Sequence, residues 1–356
     1  MDKFLMSGNS VIGEAAIRAG CQCYFGYPIT PQNELTEYMA KNLSRRKGCT
    51  FIQAESEISA INMVYGAGIA GVRVMTSSSS PGISLKQEGI SYLSAAELPA
   101  VIVNMARGGP GLGSISASQS DYFQATKGGG HGDYRTIVLA PASGQELADL
   151  TQKAFDLADT YRIPVLILGD GMLGQMMEPV DFYKEPPNNL TTKSWALRGA
   201  KDRPSRIIKS FTSNPSELEE LNWRLFRKYK LIEKEEVEYE TFMTSDAELI
   251  VIAYGIAARI AKGAIKKARD QSLKVGMVRP ISLWPFPSAK IQELANRVKH
   301  FFVFEMNMGQ MLEDVRLSLG DKEEISFYGR PGGVIPTPSE VLKIISRQYY
   351  QKGLNG

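Results

Sequence analysis

Two hydrophobic rhythms alternate along this chain. Uninterrupted apolar runs such as PAVIVNMA (99–106), PVLILGDG (164–171), ELIVIAYG (248–255) and HFFVFEM (300–306) read as strands buried on both faces. Between such runs, apolar residues recur at helical spacing, as in GQELADLTQKAFDLADTYR (144–162). Upstream, helix SVIGEAAIRAG (10–20) precedes strand CQCYFGYP (21–28) and helix PQNELTEYMAKNL (31–43). Strand TFIQA (50–54), helix EISAINMVYGAGIAG (57–71), strand VRVMTSS (72–78) and helix ISLKQEGISYLSAA (83–96) follow. Asn9 or Ser10 is the expected N-cap of the first helix, and Gly20 its stop. Strands apolar throughout, alternating with helices, predict an α/β fold with a parallel sheet covered on both faces.

Residues 186–245 break the rhythm. A stretch rich in proline, asparagine and charge, KEPPNNLTTKSWALRGAKDRPS (184–205), leads towards SELEELNWRLFRKYKLIEKEEVEYE (216–240). There Leu218, Leu221, Leu225, Tyr229 and Ile232 recur at helical spacing, which predicts a linker with an amphipathic helix whose charged side is solvated. From 246 to 356 strands and helices alternate again, so a second, smaller α/β domain is expected.

A chain of 356 residues with 43% hydrophobic content can bury two cores. Its 41 basic and 38 acidic residues, net +3, form no basic stripe, so nucleic-acid binding has no electrostatic support. No apolar run reaches the roughly 18 residues of a membrane span, and no long apolar leader opens the chain. A cytoplasmic protein without a membrane partner is expected. Cys21, Cys23 and Cys49 lack the spacing of a zinc or iron–sulfur site and are expected to be free thiols in a reducing compartment. With two histidines, His131 and His300, and no Gly-x-Ser-x-Gly elbow, a serine-hydrolase triad has no support. GAGIAG (66–71) spells Gly-x-Gly-x-x-Gly, but here the glycines close a helix instead of opening one after a strand. A nicotinamide or flavin site is therefore not predicted.

Candidate chemistry gathers where strands end. Glu55 and Glu57 stand at the edge of an apolar run, and a carboxylate taken out of water is paired, protonated or at work. Polar or glycine-rich loops follow three strands: GYPITPQNE (26–34), TSSSSPG (76–82) and the long segment 105–135. Open parallel sheets bind ligands at their strands' carboxyl ends, and loops as long as the third are usually functional. Arg107 ends the most apolar strand, a place suited to a guanidinium that grips an anion; a structural salt bridge is the alternative.

The motifs YPITP (27–31), ESE (55–57), TSSSSPG (76–82), ARGGPG (106–111) and QSDYFQATKGGGHGDYR (119–135) recur in one family's order. Farther on YG (254–255), VRPISLWPFP (278–287) and GRPGG (329–333) follow suit. Across essentially its whole length the chain resembles the 2-oxoacid:ferredoxin oxidoreductases, specifically the subunit carrying the pyrimidine-binding half of a thiamin diphosphate site. The resemblance implies a thiamin-diphosphate-binding-type parallel sheet domain over 1–185, the linker at 186–245, and a transketolase C-terminal-like α/β domain over 246–356. It places Glu57 against N1′ of the cofactor's aminopyrimidine, where a sheltered carboxyl group holds and shares a proton. Thr30 falls at the threonine that contacts substrate and the reacting face of the cofactor, with N-capping of the next helix as its structural alternative. Pro28 and Pro31 stiffen that loop, and Pro28, Ile29 and Ser80 join Thr30 and Glu57 in holding the cofactor. Arg107 falls at the arginine that clamps the 2-oxoacid carboxylate. Glu55 has no role in the pattern, and His131 lines the pocket or caps a loop.

What is missing from the pattern matters as well. GDG at 169–171 is not followed by the asparagine that would hold magnesium and diphosphate. The Mg2+ and diphosphate half is therefore expected on a partner β subunit that also carries an Fe–S cluster; a γ subunit and a ferredoxin-like δ subunit are further expected partners, and all Fe–S clusters are expected on partner subunits. A 2-oxoacid, coenzyme A and ferredoxin would be the substrates. The branched-chain type acting on 3-methyl-2-oxobutanoate is the best match. A 2-oxoglutarate type is the alternative, with Lys127 and Arg135 as candidate second cations. A thiamin-dependent decarboxylase that does not use ferredoxin and a non-catalytic scaffold are further alternatives.

Overall fold

Ser7, not Asn9 or Ser10, starts the first helix: in the computed structural model its hydroxyl accepts from Ser10 N at 3.4 Å. The structure describes residues 3–183, 192–320 and 324–354, so the start of the expected linker, 186–191, lies outside the described residues. The chain enters through β1 (Phe4–Ser7) and α1 (Gly8–Arg18), and Gly20 turns out of that helix at φ +80°. Asn9 lies inside α1 and donates instead to Pro31 O and Glu34 Oε2, both at 2.8 Å.

Then follow β2 (Cys23–Gly26), α2 (Asn33–Asn42), β3 (Thr50–Gln53), α3 (Glu57–Ile69), β4 (Val74–Ser78) and α4 (Ser80–Ala95). Next come β5 (Ala100–Gly108), β6 (Ser114–Ala117), α5 (Tyr122–Thr126) and β7 (Ile137–Leu139). The elements α6 (Gly144–Tyr161), β8 (Pro164–Asp170), α7 (Gly171–Gln175) and β9 (Met177–Val180) complete this part. Farther on are α8 (Pro215–Glu235), β10 (Tyr239–Phe242), β11 (Leu249–Ile252), α9 (Gly255–Asp270), β12 (Val275–Pro280) and β13 (Ser282–Trp284). Last are α10 (Ser288–Ala295), β14 (His300–Glu305), α11 (Gln310–Leu319), β15 (Glu324–Gly329) and α12 (Pro338–Gln351).

The larger sheet runs β13-β7-β8-β5-β4-β2-β3, with β6 folded back antiparallel on β5. From β7 to β3 every pairing along that path is parallel, and every residue of β5 and β8 is buried, as their unbroken apolar runs predict. β2 pairs with both β3 and β4, so the chain leaves β2 in one direction and β4 in the other. This is the topological switch point, where open parallel sheets leave a crevice for ligands. Thr30 follows β2 and Ser80 follows β4, one on each side of it.

The smaller sheet runs β10-β12-β11-β14-β15, parallel except for β10. It begins inside the stretch expected to be linker, because β10 pairs with β12 from Tyr239 to Phe242. The two sheets also exchange chain: β13 leaves the smaller unit to pair antiparallel with β7, Ser282 opposite Leu139.

Along α8 the apolar stripe packs from Leu221 onward, where Leu221 is half-buried against the core. Leu225, Tyr229 and Ile232 are buried, whereas Leu218 is 44% exposed and Trp223 54%. The charged side is not wholly solvated, since Arg224 and Lys228 both pair with Glu97, at 2.9 and 2.6 Å. Gly66 and Gly68 fall within the end of α3, and Gly71 turns out of it at φ +79°, so the Gly-x-Gly-x-x-Gly run does close a helix.

Candidate active site

Four neighbouring strands, β3, β2, β4 and β5, deliver the residues singled out from the sequence to one end of the sheet. Arg107 is the penultimate residue of β5 and is buried at 6% exposure. Its Nη1 donates to Thr30 O at 2.9 Å and its Nη2 to Leu112 O at 3.1 Å, while Nε is buried without a partner. Its bonds thus go to backbone carbonyls, not to the carboxylate of a structural salt bridge. The Thr30 contact uses the carbonyl and leaves the hydroxyl out of it; the cap position of α2 is held by Gln32.

Ser80, which opens α4, ties this corner together. Its Oγ accepts from Arg107 N at 3.0 Å and donates to Asp121 Oδ2 at 2.6 Å, and its N donates to Asn104 Oδ1 at 3.1 Å. Asn104 Nδ2 also donates to Asp121 Oδ2, at 2.8 Å. Burial pushes the Asp121 carboxyl up, against the bonds from Ser80 and Asn104 and the Arg107 charge. Ser80 and Asp121 line a cleft of about 500 Å³ whose other wall comes from the smaller sheet's loops, with Asn307, Gln310 and Gly332. The GRPGG loop presses close: a Cβ on Gly108 would lie 2.9 Å from Gly332 O.

Glu57 opens α3 and is buried at 6% exposure. A helix N-terminus favours a carboxylate through its unpaired N–H groups. Its carboxyl lies against α4 at Gly82, where a Cβ would stand 2.6 Å from Oε1 and would also meet Ser78 Oγ. The hydroxyls of Ser78 and Ser79 are buried there without partners. The setting is not hydrocarbon alone, as the sequence suggested. Lys86, one turn beyond Gly82, is fully buried and donates to Thr76 Oγ1 at 2.7 Å and Ser77 O at 2.9 Å. Burial pushes its ammonium down to about 7, opposed in part by the charge of Glu57.

A buried carboxyl at a helix start, unpaired hydroxyls beside it and a glycine that makes room fit the aminopyrimidine half of thiamin diphosphate. They offer nothing for its other end. Asp170 of the GDG run is buried and caps α7, accepting from Met172 N at 3.0 Å and Leu173 N at 3.1 Å. Among the described residues no cluster of His, Cys, Asp and Glu is placed to hold a metal ion.

The remaining sequence candidates lie elsewhere. Pro28 is exposed and Ile29 half-buried on the Thr30 loop, and Glu55 is exposed and bonded to Ser59. His131 is exposed, its carbonyl accepting from Ser91 and its ring edge-on to Tyr92. Lys127 pairs with Asp314, and with Arg135 it lines a second groove of about 990 Å³ along α8. Sequence reasoning missed Asn104, Asp121, Gln119 and Lys86. Gln119 and Asp121 lie inside the QSDYFQATKGGGHGDYR motif; Lys86 is marked only by the glycines that flank it at helical spacing.

This fold, with buried polar side chains at the switch point and a second α/β unit beside it, is that of a thiamin diphosphate-binding oxidoreductase subunit. Residues 14–240 match the family described as pyruvate flavodoxin/ferredoxin oxidoreductase, thiamine diP-binding, and 247–341 match pyruvate:ferredoxin oxidoreductase core domain II. The chain belongs to this family, the 2-oxoacid:ferredoxin oxidoreductases. It is 50% identical over 341 residues to the ketoisovalerate oxidoreductase subunit VorB of Methanothermobacter thermautotrophicus, covering 96% of each chain. It is 36% identical to the 2-oxoglutarate synthase subunit KorA of the same organism, covering 97% of this chain and 98% of the other. The solved 2-oxoglutarate:ferredoxin oxidoreductase from Magnetococcus marinus superposes with a TM-score of 0.86 at 28% identity, over 98% of this chain. This chain spans 65% of the length of that one. A split-gene transketolase shares the fold alone, at 13% identity and a TM-score of 0.61. Among the described residues no helix is long and apolar enough to cross a membrane.

Proposed function

We propose that this chain supplies the aminopyrimidine half of the thiamin diphosphate site in a heteromeric, cytoplasmic 3-methyl-2-oxobutanoate (ketoisovalerate):ferredoxin oxidoreductase. The observation that carries the reading is Arg107, a buried guanidinium that holds the Thr30 loop and keeps one N–H unpaired. A planar fork with an unused donor in a sheltered place suits the carboxylate of a 2-oxoacid. Glu57 faces N1′, and Thr30 offers its hydroxyl to the substrate. Ser80 fixes the strand end that carries Arg107, and Pro28 and Ile29 form the rim of the loop. Bound thiamin diphosphate supplies the nucleophilic carbon and the electron sink for loss of carbon dioxide.

The Mg2+ and diphosphate half belongs to a β subunit, because Asp170, this chain's nearest counterpart, is enclosed as a helix cap. Fe–S clusters on the β subunit and on a ferredoxin-like δ subunit pass electrons to ferredoxin, and a γ subunit completes the complex. Coenzyme A takes the acyl group. Similarity to relatives favours a branched-chain substrate over 2-oxoglutarate. Identity is 50% to a ketoisovalerate subunit against 36% to a 2-oxoglutarate one.

The test is the reconstituted complex given a panel of 2-oxoacids, reading carbon dioxide release and viologen dye reduction with and without coenzyme A. Ketoisovalerate should be turned over best; a preference for 2-oxoglutarate overturns the substrate assignment. Release of carbon dioxide without dye reduction overturns the ferredoxin assignment. Glu57→Gln should abolish decarboxylation with assembly intact, and wild-type turnover in that variant removes the site.

A further inference from the structure

Lys86 has no part in the function proposed for Glu57, Thr30 and Arg107, yet it is buried at the heart of the site. α4 presents Gly82, Lys86 and Gly89 at i, i+4 and i+7, one face of a helix. Both glycines press on α3: a Cβ on Gly82 would lie 2.6 Å from Glu57 Oε1, and one on Gly89 2.6 Å from Ile61 Cγ1, one turn along from Glu57. Lys86 is therefore held between two points of close helix contact, on the side where Glu57 stands.

Its ammonium is 0% exposed and its bonds go to neutral acceptors, Thr76 Oγ1 and Ser77 O. A buried ammonium held by neutral groups depends on a nearby opposite charge to stay ionised, and Glu57 is the carboxylate that acts on it. The other titratable groups around the pair are accounted for. From β2, the Tyr24 hydroxyl reaches Ser77 and is pushed up to about 12 by burial, so it stays neutral. Before α3, Glu55 is exposed and held by Ser59. From β5 and the start of α5, Arg107 and Asp121 are joined through Ser80.

We propose that Lys86 is a positioning residue that acts through Glu57: the charge on Lys86 holds Glu57 in its contact with N1′ of thiamin diphosphate. This rests on the proposed contact between Glu57 and N1′. Cofactor capture then depends on the Lys86–Glu57 pair. Because burial brings the ammonium down to about 7, Lys86 loses its charge near neutrality.

The experiment titrates thiamin diphosphate into the assembled, cofactor-free complex from about pH 6 to about pH 9, a range that spans the loss of charge of such a lysine. The wild type should show an inflection near pH 7 across which affinity changes about tenfold, one pKa unit's worth of interaction. Lys86→Met should be flat at the affinity the wild type reaches above the inflection. Lys86→Arg, charged throughout, should be flat at the value the wild type shows below it. The KM for the 2-oxoacid should stay unchanged in both. An inflection that persists in either variant, or is absent from the wild type, overturns the proposal. If the methionine variant fails to assemble, the arginine variant and the wild-type profile decide it. Wild-type turnover in Glu57→Gln would sink the reading of the glutamate itself. Loss of turnover there, with wild-type profiles in the Lys86 variants, sinks only the role of Lys86.

Discussion

Gln119 and Tyr254 bond each other twice: Gln119 Nε2 donates to the Tyr254 carbonyl at 2.9 Å, and the Tyr254 hydroxyl donates to the Gln119 carbonyl at 3.1 Å. Gln119 Oε1 also accepts from Met306 N, and its carbonyl from Asn307 Nδ2, each at 2.9 Å. One buried glutamine thus ties the ends of β11 and β14 to the segment between β6 and α5. It holds the Asn307 loop over the cleft that Ser80 and Asp121 line.

Removing that side chain should cost more than removing one of its partners. Gln119→Ala leaves Met306 N unpaired in a buried place, at roughly 1–3 kcal/mol, and takes from Tyr254 O, which Ala258 N still serves, a bond worth about 1 kcal/mol. Tyr254→Phe deletes one bond to a carbonyl that Asn307 still serves, a loss of about 1 kcal/mol. Urea unfolding of the two variants measures the difference. Equal losses would mean that Gln119 is one contact among many.

Arg107→Ala should raise the KM for the 2-oxoacid about tenfold to a hundredfold, the worth of a hydrogen bond to a charged group, and leave that for coenzyme A nearly unchanged. Arg107→Lys should fall between, because it keeps the charge and loses the planar fork. Steady-state kinetics on the reconstituted complex decide the matter. A parallel rise in both constants would make Arg107 a support for the Thr30 loop only.

The central strands were legible because burial on both faces leaves an unbroken apolar run, as in β5 and β8. Residues at their ends, Arg107 and Ser80, could be placed at the ligand-binding edge for the same reason. β13 was not legible: three residues carry no period, and its pairing with β7 is decided by a partner in the other sheet. Along α8 the period marks a stripe but cannot say where a surface exists to cover it, so Leu218 remains exposed. Lys86 was missed for a general reason. A lysine in a helix normally reads as solvated, and only the close approach of α3 at Gly82 and Gly89 encloses this one.

Glu305 gives the fold a pH dependence of definite sign. Its buried carboxyl accepts from Met311 N at 2.8 Å, Leu312 N at 3.0 Å and Asn307 Nδ2 at 2.9 Å, holding the start of α11 and the cleft loop. Burial nevertheless pushes it from 4.5 up to about 7. A folded value above the unfolded one means stability fully present below about 4.5 and lost as pH rises through about 7. That loss amounts to about 3 kcal/mol. The stability of the wild type relative to Glu305→Gln should therefore fall by that amount over this window in urea unfolding. Asp170, raised to about 6 by burial, is present in both proteins and cancels. A difference that does not vary with pH would show that Glu305 keeps one protonation state throughout.

Gly82→Ala and Gly66→Ala make a controlled pair. Both glycines lie in helices, where alanine is ordinarily better by roughly 0.8–1 kcal/mol. A methyl group added at Gly66 would meet no neighbour within 4 Å, so that alanine variant should gain about that much. At Gly82 the same methyl would strike Ser78 Oγ and stand 2.6 Å from Glu57 Oε1, closer than real side chains come. The overlap should turn the gain into a loss of about 1–3 kcal/mol, because the neighbours are packed on all sides. The displaced group is Glu57 and not Arg107, so turnover and thiamin diphosphate affinity should each drop about tenfold, the effect of one pKa unit's worth of lost interaction. The KM for the 2-oxoacid should stay near wild type. Thermal melts of the two variants, read beside kcat and cofactor titration, separate packing from chemistry. If Gly82→Ala stabilises the protein as Gly66→Ala does and turns over normally, Glu57 does not lie against α4, and the place given to it at N1′ is lost.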